Sequence, residues 1–383
     1  MYTARYKEMR PAYGFDDVAI APGEITINPD QTEIDLTLGK QTFAIPLLAA
    51  ALDAVVDPAF AVAFHRQGGL AVMNLEGVQT RYDHPQEAFE MIARASKEDA
   101  TTVLQKAYAP PIRDNLVAQR VEEIKAQKAV CAVSVTPANT KRLALVAQEA
   151  GADLLFVQST VTTARHTSKS QRGLILHELC QQLRMPVVVG NCVGYKVALE
   201  LMEEGITGLL VGVGPGAICT SREVLGIGVP QVTATMDCAA ARDDYYRATG
   251  RYVPVITDGG MRTGGDICKA FASGADGVML GTTFAQAAEA PGRGFSWGMS
   301  TPHASLPRGT RLAVGTRGPL ERILLGPTSV TDGTENLVNA LRTSMGMVGA
   351  RTIREMHSAE LIVAPSIKTE GKLYQFAQGL ARG

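Results

Sequence analysis

Little in the composition of this chain announces a chemistry, and each shortage narrows the field. Six cysteines (Cys131, Cys180, Cys192, Cys219, Cys238 and Cys268) are scattered, with no Cys-x-x-Cys pair and no cluster of histidines. A structural zinc site is therefore not expected. The formal net charge is −1, with no basic run and no series of aromatic residues for stacking bases, so neither nucleic acid nor an anionic membrane surface is an expected partner. Residues Met1 to Glu8 hold no apolar stretch of the kind a secretory signal needs. Nowhere do the roughly 18 apolar residues of a membrane span run together. A cytoplasmic protein with reduced thiols is expected. Internal repeats and low-complexity tracts are missing as well.

What the chain does have is apolar mass: 46% hydrophobic against 20% charged residues over 383 positions, enough for a large core. Short apolar runs recur at 44–50, 69–74, 129–135, 153–157, 186–190, 208–212, 253–258 and 276–281. Each is apolar at consecutive positions, as a parallel strand covered on both faces must be. Helical patterns lie between them, such as Arg113 to Lys128, Asn139 to Ala150 and Gln171 to Arg184. Alternating strand–helix units of this number predict an α/β fold: a single (β/α)8 TIM barrel filling residues 1–383, in preference to an open doubly wound sheet. Asp53, Asn74, Gln158, Asn191, Gly212, Asp258 and Gly281 then fall at or just after strand ends, the face on which such barrels build their sites. Two stretches exceed the pattern. Residues 75–112 form a long connection, and residues 291–332, rich in glycine and proline and holding the single Trp297, are expected to be a mobile flap over the site. A C-terminal segment covers about 358–383.

One stretch carries the chemistry. Gly212-Val213-Gly214-Pro215-Gly216-Ala217-Ile218-Cys219-Thr220-Ser221 puts a cysteine at the end of a glycine-rich turn that follows a buried run. Glycine lets the backbone approach a small ligand, and successive N–H groups make an anion nest. The nucleophilic form of a cysteine, the thiolate, is favoured in such a field. Gly212-x-Gly214-x-x-Ala217 also fits a permissive dinucleotide fingerprint, with Asp237 as its acidic partner. That partner should end a second strand, whereas Val232 to Ala240 reads as helix. Together with Asp258-Gly259-Gly260, the cysteine loop reads better as a nucleotide held beside an attacking sulfur.

These blocks have an order. Phe15-Asp16-Asp17-Val18, the run from Ile45 to Asp53, Val189-Gly190-Asn191, the cysteine loop, the run from Asp258 through Gly259, Gly260, Arg262, Gly264 and Gly265 to Asp266, and Val278-Met279-Leu280-Gly281-Thr282 follow one another along the chain. In this the sequence resembles the IMP dehydrogenase and GMP reductase family over nearly its whole length. The resemblance implies that Cys219 attacks C2 of the purine of IMP, with the hydroxyl of Ser221 at the family's threonine position. Asp258 would hold both ribose hydroxyls, and backbone N–H groups of Gly260, Gly281 and Thr282 the phosphate. Asn191, Ala217 and Gly259 would complete the nucleotide site, and Gly298, Met299 and Ser300 would read the base. Gln158, Ser159, Thr160, Gly212 and Gly214 would face the nicotinamide cofactor. Hydride then leaves C2 for NAD, and water hydrolyses the thioimidate to XMP. In the reductase branch the same cysteine works with NADPH and ammonia is released. The resemblance also implies a homotetramer in which carbonyls of Gly214, Gly216 and Cys219 bind K+ together with Glu370-Gly371 of a neighbouring chain. Lys372 stands where the family has a small residue, and its ammonium would compete for those carbonyls.

Several positions depart from the family. The two CBS modules that dehydrogenases usually carry have no room between Asn74 and Arg113. An aspartate that meets the nicotinamide ribose is replaced by Gln158, and a serine of the phosphate nest by Ala217. The Arg-Tyr pair that activates water is incomplete, since no tyrosine lies between Tyr252 and Tyr374, and Val314 stands at a Glu or Gln position. Water activation is then expected from Arg308, Arg311, Arg317 or His303. Glu223 and Val224 follow Cys219-Thr220-Ser221-Arg222, where the reductases carry lysines, which favours a dehydrogenase. GMP reductase stays open as the alternative, as does a purine-nucleotide-binding protein without turnover, which would not need Cys219.

Overall fold

The computed structural model describes residues 9–166, 174–217, 219–298 and 311–365. All eight apolar runs become strands: β1 (Leu47–Ala49), β2 (Leu70–Asn74), β3 (Ala132–Val135), β4 (Leu154–Gln158), β5 (Val187–Cys192), β6 (Gly208–Val211), β7 (Val255–Asp258) and β8 (Gly277–Leu280). They pair in parallel in chain order, and β8 closes on β1 through the register Val278↔Leu47, Met279↔Leu48 and Leu280↔Ala49, so the sheet is a closed barrel. Nearly every strand residue is buried, which explains why the runs are apolar at consecutive positions rather than alternating.

Helices pack around this ring. They are α1 (Pro58–Arg66) after β1; α2 (Pro85–Arg94), α3 (Ala100–Ala107) and α4 (Asp114–Ala126) after β2; α5 (Thr140–Glu149) after β3; α6 (Leu176–Gln182) after β4; and α7 (Tyr195–Glu203) after β5. The short α8 (Ser221–Leu225) and long α9 (Gln231–Thr249) follow β6, and α10 (Gly264–Ala272) follows β7. Beyond β8 come α11 (Thr282–Ala285), α12 (Leu320–Leu325), α13 (Leu337–Val348) and α14 (Ile353–Met356). Local sequence sets the starts. Asp57 caps α1 by accepting from Phe60 N at 2.7 Å with Pro58 in the first turn, and Thr263 caps α10 by accepting from Asp266 N at 3.2 Å. Asp237 lies inside α9 and pairs with Arg10 at 2.8 Å, so it cannot end a strand beside a dinucleotide, and that alternative fails.

A hairpin (Leu36–Leu38 with Gln41–Phe43) plugs the end of the barrel where the strands begin, with Leu36, Leu38 and Phe43 buried. At that end a polar knot is also buried. Arg242 of α9 donates to Asp276, just before β8, at 2.7 Å, and Val255 N donates to the same carboxylate at 2.8 Å. Tyr252 donates to its other oxygen, and His357 Nε2 sits on the Ala275 carbonyl at 2.8 Å. Burial works against the Arg242 charge, but Asp276 and Tyr252 outweigh it and raise its pKa. Far apart in sequence, Val18–Ile20 and Leu361–Val363 form an antiparallel pair with Val18 opposite Val363.

The stretch 291–332 is not one loop. Phe295–Ser296 pairs with Leu312–Ala313 as a short stem, and α12 buries Leu320, Ile323 and Leu324 in the main core. Between β2 and α4, the long connection folds into α2 and α3, whose Ala88, Phe89, Ile92, Leu104 and Ala107 make a second apolar cluster with Ala54, Val78, Tyr108 and Trp297. No helix among the described residues is long and apolar enough to cross a membrane.

Candidate active site

The C-terminal ends of the strands gather most of the residues singled out above. After Val211, the cysteine loop leaves β6 through Gly212, whose φ of +148° and surroundings both require glycine. A Cβ there would meet the Asp258 carbonyl oxygen at 2.5 Å and the Gln231 amide at 2.9 Å. Arg222 lies under Gly214 and donates to the Val229 carbonyl at 3.0 Å, holding the loop from beneath. The turn closes where Cys219 N donates to the Gly216 carbonyl at 3.0 Å. Cys219 is half-buried, with its sulfur 3.4 Å from the hydroxyl of buried Ser221, the first residue of α8. Ala217 is exposed on the rim of the loop.

Asp258, the last residue of β7, faces this loop. Asn191, at the end of β5, donates to it from Nδ2 at 2.7 Å. Burial raises the Asp258 pKa to about 6, against the opposing effect of the Asn191 hydrogen bond. Gly259 and Gly260 take φ of +83° and +84°, and their backbone rests on the cysteine loop: added Cβ atoms would meet Gly216 Cα at 3.4 Å and Pro215 Cβ at 3.0 Å. The carboxylate and the sulfur are thus carried on two interlocked turns. Gln231, the first residue of α9, ties them from below. It is buried and donates from Nε2 to the carbonyls of Val211 at 2.6 Å and Asp258 at 3.4 Å. Sequence reasoning missed Gln231; its only signal was an amide in the first turn of a helix soon after the loop.

On the next strands, Gly281 caps α11 and Thr282 opens it, so their N–H groups lack intrahelical acceptors. The Leu52 side chain, just beyond β1, fills the space between Gly281 and Gly298, where added Cβ atoms would come within 2.8 and 2.6 Å of it. Beside Leu52, Asp53 is buried and accepts from Tyr108, from Asn74 Nδ2 at 3.3 Å and from Val78 N at 3.2 Å. Burial pushes its pKa up to about 6 despite those donors. Ser159 is clipped to the end of β5, donating from N to Gly190 O at 2.9 Å and accepting from Asn191 N at 3.0 Å, with Thr160 next in the same turn.

Three expected residues have partners of their own. Gln158 is buried inside the barrel, accepting from Ser134 Oγ at 2.9 Å and directing Nε2 at the Met279 sulfur. Arg311 is not poised over the site: its guanidinium donates to the carbonyls of Ile92, Ala93 and Ala95 at 2.6, 2.7 and 2.6 Å. Arg317 is likewise held, by Gln286 at 2.9 Å and Thr334 at 2.6 Å. Met299, Ser300, His303, Arg308, Glu370, Gly371 and Lys372 lie outside the described residues. Among the described residues, no group of three or more His, Cys, Asp or Glu side chains could hold a metal ion.

A half-exposed thiol and a hydrogen-bonded carboxylate on adjacent strand ends of a closed parallel barrel place this molecule in the class of (β/α)8 barrels with a site at the C-terminal face. Known proteins sharpen this. Residues 12–370 match the IMP dehydrogenase / GMP reductase domain, and the chain belongs to that family of oxidoreductases. It is 40% identical to an uncharacterized oxidoreductase of Mycobacterium leprae, covering 93% of this chain and 97% of that one. It is 27% identical to the inosine-5'-monophosphate dehydrogenase of Methanocaldococcus jannaschii, covering 97% and 96%. A crystal structure of an IMP dehydrogenase/GMP reductase-like protein from Corynebacterium glutamicum superimposes with a TM-score of 0.89 at 32% identity, over 95% of this chain and 97% of that one.

Proposed function

We propose that this protein is an IMP dehydrogenase that oxidises IMP to XMP with NAD. The observation that carries the reading is the interlocking of the two turns, which puts the Cys219 loop against Asp258-Gly259-Gly260. A nucleotide whose ribose hydroxyls sit on Asp258 would place its base over the cysteine loop, with Gly260, Gly281 and Thr282 available to the phosphate. Cys219 adds to C2, hydride passes from C2 to NAD, and the resulting thioimidate is hydrolysed by water, releasing XMP and the thiol. Asn191 keeps the carboxylate oriented, and Ser221 hydrogen-bonds the sulfur before attack. For the cofactor, the fit is partial. Ser159, Thr160, Gly212 and Gly214 lie on the strand-end face where it would bind, while Gln158, an amide held by Ser134, stands in place of an aspartate, so the nicotinamide ribose would lose a carboxylate contact made elsewhere in the family.

The assignment to the dehydrogenase branch rests on Glu223 and Val224, which leave the short α8 without the lysines of the reductases. GMP reductase with NADPH is the second reading, favoured by the absence of room for CBS modules between β2 and α4. A K+ ion would sit on carbonyls of Gly214, Gly216 and Cys219. The Gly216 oxygen already accepts from Cys219 N but keeps a second lone pair for a cation. The partner half, Glu370-Gly371, would come from a neighbouring subunit of a homotetramer.

Absorbance at 340 nm separates the readings. A rise with IMP and NAD, and no change with GMP and NADPH, is the expected result. A fall in the second mixture alone would make the protein a reductase. No change in either mixture would leave a nucleotide binder.

A further inference from the structure

Three sets of contacts join helix α2 to the stem of residues 293–297 and 311–313, and a fourth ties the stem together. Arg311 spreads its guanidinium over the last carbonyls of α2, where the helix dipole is negative. Its flat face lies on the Phe295 ring, 4.1 Å from the centroid, across the stem. Trp297 packs on Phe89 of α2, with centroids 6.1 Å apart, and Arg293 reaches Glu90 at 3.1 Å. The insertion is itself fixed to the barrel. Tyr108, just past α3, donates to the buried carboxylate of Asp53, next to Leu52.

We propose that the insertion 75–112 is a seat for this stem, and that Arg311 is a positioning residue acting through it. Residue 298 follows Trp297 directly and rests on Leu52, with the Ala54 N–H donating to the Trp297 carbonyl at 3.4 Å. A seated stem therefore sets the wall of the nucleotide site at Leu52 and Gly298. Residues that touch no substrate would control how well that wall is placed. The arrangement accounts for two features the reaction leaves unused, the long β2–α4 connection and the one tryptophan of the chain.

The effect on turnover rests on the dehydrogenase reading, but the seat can be read without it, because Trp297 is the only tryptophan. The variants are Arg311→Lys, Arg311→Met and Phe89→Leu, each checked for an unchanged far-ultraviolet spectrum. In Arg311→Met, Trp297 emission is expected to shift to longer wavelength and to become more accessible to acrylamide. Turnover should fall about ten- to a hundredfold, as for a misplaced site wall. Phe89→Leu should do the same more mildly, and the double variant should lose less than the product of the two single losses. Arg311→Lys keeps the charge but not the fork, and should lie between. Collapsed turnover in Arg311→Met with unchanged Trp297 emission would overturn the proposal and make Arg311 a direct participant. Unchanged emission and unchanged turnover would also overturn it. A wild type inactive on both substrate pairs would sink the functional reading and leave the emission result to decide the seat.

Discussion

The amide of Asn191 and the carboxylate of Asp258 meet at 2.7 Å, joining the ends of β5 and β7 across the intervening β6. This one bond sets the orientation of the carboxylate proposed to hold the ribose. It also opposes the burial that raises the Asp258 pKa to about 6.

The pH dependence follows from the direction of that shift. A carboxyl whose pKa is higher folded than unfolded binds its proton more tightly in the native state. Its contribution to stability is full below the unfolded value and is lost as pH rises through about 6. Nucleotide binding should run the other way, because only the ionised form accepts from both hydroxyls. Below about pH 6, IMP affinity should fall by roughly tenfold per pH unit. Titration calorimetry from pH 5 to 8 (about the range of this group) checks this. Asp258→Asn should bind more weakly and lose part of the slope, keeping the share that the nucleotide phosphate contributes by its own titration at about pH 6; a slope as steep as the wild type's would mean that Asp258 is not the group that titrates.

Cys219→Ser tests covalent chemistry. An alcohol in place of the thiol should lower turnover by at least about a thousandfold, as loss of a nucleophile does elsewhere. IMP affinity should change little, since the proposed ribose and phosphate contacts lie on other strands. Mass spectrometry of wild type during turnover should show an adduct on Cys219 that the variant lacks.

Gly212→Ala probes the close approach of the two turns. The new methyl would stand 2.5 Å from the Asp258 carbonyl oxygen in a φ region that alanine avoids. The strain is about 1–3 kcal/mol, and relief requires the cysteine loop to move off β7. Turnover should drop more than thermal stability, as measured by the 340 nm rate beside a melting curve. An equal and small loss in both would mean the loop absorbs the methyl without displacing Cys219.

Arg242→Met addresses the opposite end of the barrel. It strands the Asp276 carboxylate, leaving it only Tyr252, Val255 N and His357 nearby. Breaking a buried pair on one side costs about 3–5 kcal/mol. Urea unfolding should show that loss, while KM for the nucleotide stays unchanged because the knot lies a barrel's length from the site.

The eight strands were legible because a barrel strand is covered on both faces and so leaves an unbroken apolar run. Asp258, Gly259 and the cysteine loop were legible because close approach demands glycine wherever backbone meets backbone. The roles of Arg311 and Gln158 were not. Arg311 bonds main-chain carbonyls more than two hundred positions away, and a carbonyl leaves no mark in a sequence. Gln158 stands at a functional position of the family, but its amide turns inward to Ser134, which only the barrel geometry reveals. Helix α2 could have been found: Pro85 begins it, and Phe89 and Ile92 fall three apart on one face.

The pairing of β8 with β1 has a consequence for how the molecule is made. During synthesis, the outer edge of β1 has no native partner until Gly277–Leu280 leaves the ribosome. Exposed edges of this kind invite strands from other chains, and parallel sheets are slow to assemble. The antiparallel pair of Val18–Ile20 with Leu361–Val363 forms later still, since its contacts are available only after Val363 has emerged. Nascent chains stalled before β8 should therefore be the aggregation-prone species, and those stalled beyond Val363 should be the first to resist protease.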